Sequence, residues 1–259
     1  MTNETKKGSF YLVPAPLDFG CSTQASLTDV LPQATLQTAA RLTHWIGENA
    51  KTTRAYLKRV GDLYPLALPI QAQQIVELPR EVHKKGDHGG TGSASFDASA
   101  LLAPALLGHD IGLVSEAGMP AIADPGSSVV RAAHTLGLRV VPLVGPVSLL
   151  LGLAASGLNG QNFAFVGYLP QDPTERVHRI KELESLALKT GQAQLFIETP
   201  YRNAALLSAL VQTLQSNTRL AVSSGLTLPT AVTRSETIKG WRAQPGGVGD
   251  APAVFALGR

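Results

Sequence analysis

Three short segments have the glycine and proline content of a ligand site: Pro14-Ala15-Pro16, Ser115-Glu116-Ala117-Gly118-Met119-Pro120 and Val144-Gly145-Pro146. Each follows an apolar run that reads as a strand: Phe10 to Val13, Ile111 to Val114, and Leu138 to Leu143. In an open parallel sheet, ligands bind beyond the carboxyl ends of the strands. Gly118 and Gly145 would let a ligand approach the backbone closely. Any one of these segments is equally an ordinary tight turn; three on one sheet edge carry more weight together. No G-x-G-x-x-G follows a strand and no G-x-x-x-x-G-K-[ST] occurs, which removes the main support for dinucleotide and P-loop readings. G-x-S-x-G and zinc-type Cys/His spacings are also missing. His83, Asp87 and His88 offer a metal site on spacing alone, a weak signal, so no metal is expected. His44, His109, His134 and His178 read as structural or solvated.

The elements that must hold these turns alternate along the chain. A helix with Pro32 in its first turn carries Leu36, Ala39 and Ala40 on one side. Trp45-Ile46-Gly47 ends a second strand, and Thr52 to Val60 reads as a helix stopped by Gly61. Leu66 to Leu78 has no clear period. Lys84 to Ser95 is glycine-rich and reads as a surface loop. Asp97 is placed to cap a helix that ends at Gly108. Asp124-Pro125 looks like an N-cap with proline at the first helical position, followed by Val129, Ala133 and Leu136 and a stop at Gly137. Val147 to Ser156 is apolar nearly all round and reads as buried, with Gly157 closing it. This alternation implies a largely parallel sheet covered on both faces.

The second half repeats the pattern more loosely. Phe163 to Val166 is a strand, and Asp172-Pro173-Thr174-Glu175 opens a helix running toward Lys189 and stopped by Gly191. Leu195 to Ile197 is a strand, and Thr199-Pro200 caps a helix with Leu207, Leu210, Val211 and Leu214 on one face. Leu220 to Val222, Ala231 to Ile238 and Val254 to Leu257 are strands close enough in sequence to pair antiparallel. The expected architecture is α/β in two domains, 9–158 with a mainly parallel sheet and 159–259 with a mixed one.

Bulk properties narrow the class. Of 259 residues, 44% are hydrophobic and 16% charged, enough apolar content for a substantial core. Cys21 is the single cysteine, so no internal disulfide forms and a reducing, cytoplasmic compartment is expected. Residues 1–8 are polar, with no apolar signal core. The apolar stretch Val140 to Ala155 is interrupted by Pro142 and Gly145-Pro146 and is too short to span a membrane. The net charge of +3 permits a polyanion partner without indicating one. Arg176, Arg179 and Lys181 are interleaved with Glu175, Glu182 and Glu184, an ordinary solvated face.

The run from Ser115 to Gly126 resembles the tetrapyrrole methylase superfamily, whose members use S-adenosylmethionine. Within it, the chain is most similar to the branch that methylates a cytidine ribose in small-subunit ribosomal RNA. That branch has S-D-A-G-T-P-x-I-x-D-P-G, then R-V-V-P-L-P-G-P, then a helix ending in S-G-L. Arg139 to Pro146 and Ser156-Gly157-Leu158 follow here in the same order. Tyr11 to Leu17, Gly167 to Pro170 and Phe196 to Arg202 resemble three further motifs. The resemblance implies two α/β domains with S-adenosylmethionine in the cleft between them, usually in a homodimer. Residue by residue, it carries cofactor contacts onto Pro14, Gly118, Met119, Ile122, Ala123, Ser148, Leu149, Glu198 and Thr199, with Ser115 and Ala117 shaping the same loop.

Departures fall on the substrate side. Asp18-Phe19 stands where the branch has G-N, and Gly47 to Lys51 where it has A-E-D-T-R. Gly225 to Leu228 replaces E-L-T-K, and H-D-H-N-E has no clear counterpart. Glu116 stands where the family has Asp. A ribose hydroxyl has a high pKa, so its attack on a methyl group is helped by a base or a positioned cation. Glu48 as base and Lys51 as orienting cation are the candidates that survive in the eroded motif, with Glu198 and Arg202 behind them. Three functions follow as expectations: ribose 2'-O-methylation of ribosomal RNA or the small ribosomal subunit, methylation of a tetrapyrrole or other small molecule, and non-catalytic regulation through cofactor binding.

Overall fold

The computed structural model describes residues 6–79, 96–247, 249 and 251–259. His83, Asp87, His88 and the glycine-rich segment 84–95 lie outside the described residues. The chain forms two compact units, one of residues 1–19 and 25–146, the other of residues 20–24 and 147–259.

The first unit is built on strands β1 (Ser9–Leu12), β2 (His44–Gly47), β3 (Gln74–Glu77), β4 (Ile111–Val114) and β5 (Arg139–Pro142). All pairings are parallel, in the order β3-β2-β4-β1-β5. Alternate side chains of each strand enter opposite cores. Phe10, Ile111 and Leu113 pack with Val129 and Ala133 on one face, while Tyr11, Trp45 and Val114 pack with Leu36 and Leu57 on the other. Burial on both faces is what near-continuous apolar strands require. The strand order seats β1 between β4 and β5, so the three turns identified in the sequence emerge side by side.

Helix Gln33–Arg41 buries Leu36, Ala39 and Ala40, as its spacing predicts, with Pro32 at the N-cap rather than inside the first turn. Helix Ala50–Gly61 starts two residues before the apolar pattern, because Asn49 accepts the N–H groups of Lys51 and Thr52. Asp97 accepts Ser99 N–H and opens a 3-10 turn, Ser99–Leu102, that leads into helix Ala103–Leu106. One expectation is corrected: Asp124 does not cap a helix. The helix spans Ser127–Thr135, and its N-cap is Gly126, at φ +130°. Ala121 and Ala123 both adopt positive φ, which folds residues 121–126 into a compact loop and delays the helix.

The second unit has strands β6 (Phe163–Tyr168), β7 (Ala193–Glu198), β8 (Arg219–Ser224), β9 (Val232–Thr237) and β10 (Ala253–Gly258), ordered β6-β7-β10-β8-β9. Only β6 and β7 run parallel; the β10–β7, β10–β8 and β8–β9 pairs are antiparallel. Asp172 caps helix Pro173–Thr190 through Thr174 and Glu175 N–H, and Gly191 closes it in the left-handed conformation. Thr199-Pro200 opens a 3-10 turn, and the helix proper spans Asn203–Thr213. Phe196 and Phe255 stack at 5.8 Å within a core that includes Ile180, Leu183 and Leu210. Helix Ser148–Ser156 packs on β8 and β10. Its expected all-round burial is corrected: Leu149, Gly152 and Leu153 face the sheet, while Leu150 and Leu151 are 50% and 40% exposed. Among the described residues no helix is long and apolar enough to cross a membrane.

Candidate functional site

The three turns of the first unit are locked to one another. Ala15 N–H donates to Gly118 O at 2.9 Å, and Gly118 N–H to Ala15 O at 3.0 Å, an antiparallel bridge joining the ends of two parallel strands. The bridge works because Gly118 has φ +69°, a region that L side chains rarely adopt. Gly145 lies so close to Pro14 that an added Cβ would overlap Pro14 Cγ. The third turn therefore tolerates no side chain there, and Pro14 is buried beneath it. Thr35 Oγ1 donates to Val144 O at 2.8 Å and fixes the same turn from the other side.

Ser115 is the inner residue of this loop set. It is 5% exposed, and its Oγ has no hydrogen-bond partner among the described residues. A buried hydroxyl left unpaired costs about 1–3 kcal/mol, so a polar ligand group that reached it would offset a standing penalty. Ala117 and Met119 are half-buried, while Ile122 and Ala123 are exposed and give the loop an apolar outer surface. A backbone-lined loop with one waiting hydroxyl and apolar walls fits a nucleoside-bearing cofactor such as S-adenosylmethionine.

Three carboxylates converge at the same edge. Glu48, at the end of β2, accepts Glu116 N–H at 3.2 Å. Asp124 is pushed up to about 7, first by burial and then by the charges of Glu48 and Glu116. Reading Asp124 as a helix cap concealed this grouping; its only sequence signal was the pair Glu116 and Asp124 framing a helix-poor loop. Lys51 is exposed in the first turn of helix Ala50–Gly61, on the segment that follows Glu48.

Asp18, one of the departures from the branch pattern, has a structural task. It is 5% exposed and accepts Arg59 Nη1 at 3.1 Å, Arg59 Nη2 at 3.0 Å and Ala25 N–H at 2.9 Å. Arg59 Nη2 also donates to Ala25 O at 2.7 Å. One buried ion pair thus pins both ends of the segment after the first turn to helix Ala50–Gly61.

In the second unit, Glu198 Oε1 gathers Thr199 N–H at 2.7 Å, Thr199 Oγ1 at 3.2 Å, Arg202 Nε at 3.0 Å and Arg202 Nη2 at 2.8 Å. That oxygen is saturated by its own loop, so it holds the turn after β7 in shape. Ser148 is half-buried and Leu149 buried at the start of helix Ser148–Ser156.

A parallel five-stranded sheet followed in the chain by a mixed five-stranded sheet is a fold found in solved methyltransferase structures. Solved structures share it: uroporphyrin-III-C-methyltransferase from Thermus thermophilus (TM-score 0.52, 17% identity, 97% of this chain and 94% of that one) and the methyltransferase CobJ (TM-score 0.56, 16% identity, 97% and 94%). No protein-family model matches the chain. Curated relatives are closer in sequence. Ribosomal RNA small subunit methyltransferase I of Mesorhizobium japonicum is 34% identical over 232 residues, covering 89% of this chain and 68% of the relative. Its counterpart in Escherichia coli O157:H7 is 35% identical over 224 residues, covering 86% and 67%. A Xylella fastidiosa relative is 38% identical over 125 residues, covering 48% and 44%. The chain belongs to the ribosomal RNA small subunit methyltransferase I family.

Proposed function

We propose that the protein is an S-adenosylmethionine-dependent methyltransferase that methylates a ribose 2'-hydroxyl of small-subunit ribosomal RNA. The observation that carries the reading is the Ala15–Gly118 bridge with the unpaired Ser115 Oγ beside it. It supports a preformed cofactor loop on a chain whose curated relatives are named for ribosomal RNA methylation. Pro14, Ser115, Ala117, Gly118, Met119, Ile122 and Ala123 are assigned to the cofactor. Ser148, Leu149, Glu198 and Thr199 are the second unit's contribution to the same proposal. S-adenosylmethionine would supply an activated methyl group on a sulfonium, so the protein's task is alignment and exclusion of water.

Glu48 is proposed to take the ribose hydroxyl proton, and Lys51 to orient the ribose or an adjacent phosphate. Asp124, carrying a proton for much of the time near neutrality, keeps the carboxylate group from holding three negative charges at once. We place the enzyme in the cytoplasm as a homodimer, a proposal that rests on the family resemblance and on the lone cysteine.

Calorimetric titration with S-adenosylmethionine, beside a Gly118→Val variant, is the test. Saturable binding by the wild type and its loss in the variant are expected. Undermethylated small ribosomal subunits then serve as the first substrate. Failure of the well-folded wild type to bind the cofactor refutes the reading. Cofactor binding with turnover on a tetrapyrrole but not on RNA would move the substrate to the small-molecule alternative.

A further inference from the structure

The edge of the first sheet opposite the turns carries a groove of about 700 Å³. Its walls come from the residues that begin β1, β4 and β5, together with the end of helix Gln33–Arg41. Four-residue strands separate it from the cofactor turns by about 13 Å of sheet. Lys6, Lys7, Arg41, His109, Asp110 and Arg139 line it. Asp110 is already engaged: Oδ2 accepts Arg41 Nη1 at 2.6 Å, and Oδ1 accepts Ser9 N–H at 2.8 Å. The carboxylate and Arg41 cancel, which leaves Lys6, Lys7 and Arg139.

The lysines are not on a loose tail. Gly8 N–H donates to Ala105 O at 2.8 Å, and an added Cβ on Gly8 would meet His109 O, so the segment is pressed against the turn before β4. Gly108, at φ +97°, lies with its Cβ position 3.2 Å from Lys6 O. Lys7 Nζ donates to Leu136 O at 2.9 Å, with further N–H donors directed elsewhere. Among the described residues, neither Lys6 nor Arg139 makes an ion pair. His109 stacks on His44 at 4.5 Å and closes one wall. A site for a single phosphate would draw deeply buried donors onto one point. Here the cations are exposed, come from separate chain segments and are spread along an open groove, which matches the repeating charge of a nucleic-acid backbone.

We propose that this groove docks the phosphate backbone of the RNA substrate at a segment away from the methylated nucleotide. The proposal rests on the ribosomal RNA reading above and adds a second contact surface to it. Backbone docking far from chemistry is uniform binding: it lowers KM and leaves kcat alone. It also releases counterions, about 0.7–0.9 in the slope of log K against log salt for each phosphate contact.

The test is K6Q/K7Q/R139Q against the wild type and a control, K181Q/K189Q/K239Q, which loses the same charge from exposed positions of the second unit. Affinity for small-subunit ribosomal RNA is measured across salt concentrations, with calorimetry on S-adenosylmethionine and a melting curve as checks on each variant. The groove variant should bind RNA at least about tenfold more weakly at 0.1 M salt, with a slope shallower by about two to three. Its KM should rise in parallel, with kcat, cofactor affinity and Tm unchanged. Unaltered RNA affinity in the groove variant overturns the proposal, and so does an equal loss in the control, which would make the effect one of net charge. Wild-type protein that binds cofactor but no RNA removes the ribosomal RNA reading itself, a result distinct from either of these.

Discussion

Asp124→Asn should make the first unit more stable at pH 8 and leave it nearly unchanged at pH 4. The carboxyl has an ordinary value of 3.8 and is pushed up to about 7 in the folded chain. A folded-state value above the unfolded one means that the native state keeps a proton that the unfolded chain releases. The associated stability is fully present below about pH 4 and is lost as pH rises through about 7. The two values differ by roughly three powers of ten in proton affinity, at 1.36 kcal/mol each, so the ionised carboxyl costs on the order of 4 kcal/mol at pH 8. Asparagine keeps the shape of the neutral acid and cannot ionise. The variant's advantage should therefore grow from near zero at pH 4 to a few kcal/mol at pH 8. Denaturant-dependent hydrogen exchange of the β1 and β4 amides reports on this unit directly. A stability difference that does not change with pH, or an Asn variant less stable than wild type at pH 8, refutes the reasoning. A second variant separates the causes. Glu48→Gln removes one of the two charges acting on Asp124, so the pH at which wild-type stability falls should move down, toward the value that burial and Glu116 alone would set.

Two other outcomes follow from the same geometry. Glu48→Ala should lower turnover on the RNA substrate by about 10²–10⁴-fold, the usual worth of a general base, with S-adenosylmethionine affinity within about twofold by calorimetry; unchanged turnover ends the assignment. Arg59→Met leaves Asp18 buried without its counter-charge and should destabilise the first unit by about 3–5 kcal/mol in urea unfolding. Adding Asp18→Asn should recover part of that loss, and a simple sum of the two single effects would show that the pair is not coupled.

Local signals made the turns legible, but not their contact. Gly118 and Gly145 stand out because glycine beside proline at the end of an apolar run marks a tight turn with close backbone approach. That Ala15 and Gly118 form a bridge across more than a hundred residues depends on β1 lying between β4 and β5, and no local pattern encodes strand order. Asp124-Pro125 misled because the same dipeptide suits a helix cap and a loop. The deciding feature, positive φ at Ala121 and Ala123, leaves no mark on residue type, since alanine is the usual choice for neither. Leu150 and Leu151 misled for a different reason: an apolar face tells that a helix side prefers burial, not that the fold supplies a cover for it. Asp18 looked like a lost motif residue. Its partner Arg59 lies on a helix, and nothing in sequence spacing connects the two.

The placement of unfavourable features bears on the proposal that residues 115–124 form a cofactor loop. Between residues 115 and 124 the chain holds a buried hydroxyl without a partner among the described residues, two alanines at positive φ and a carboxyl displaced to about 7. The alanine conformations cost about 1–2 kcal/mol each, the unpaired hydroxyl about 1–3 kcal/mol, and the ionised carboxyl a comparable amount at neutral pH. Asp124→Asn would remove the ionisation cost, and a glycine at 121 or 123 the conformational one. Costs of this kind persist where a ligand or a reaction compensates for them. A scaffold that had abandoned the cofactor would have no reason to keep several of them within ten residues. The same loop in an active methyltransferase would gain from them: the hydroxyl for the ligand, the bent backbone for close approach, and a protonated Asp124 for a cluster that then carries less negative charge.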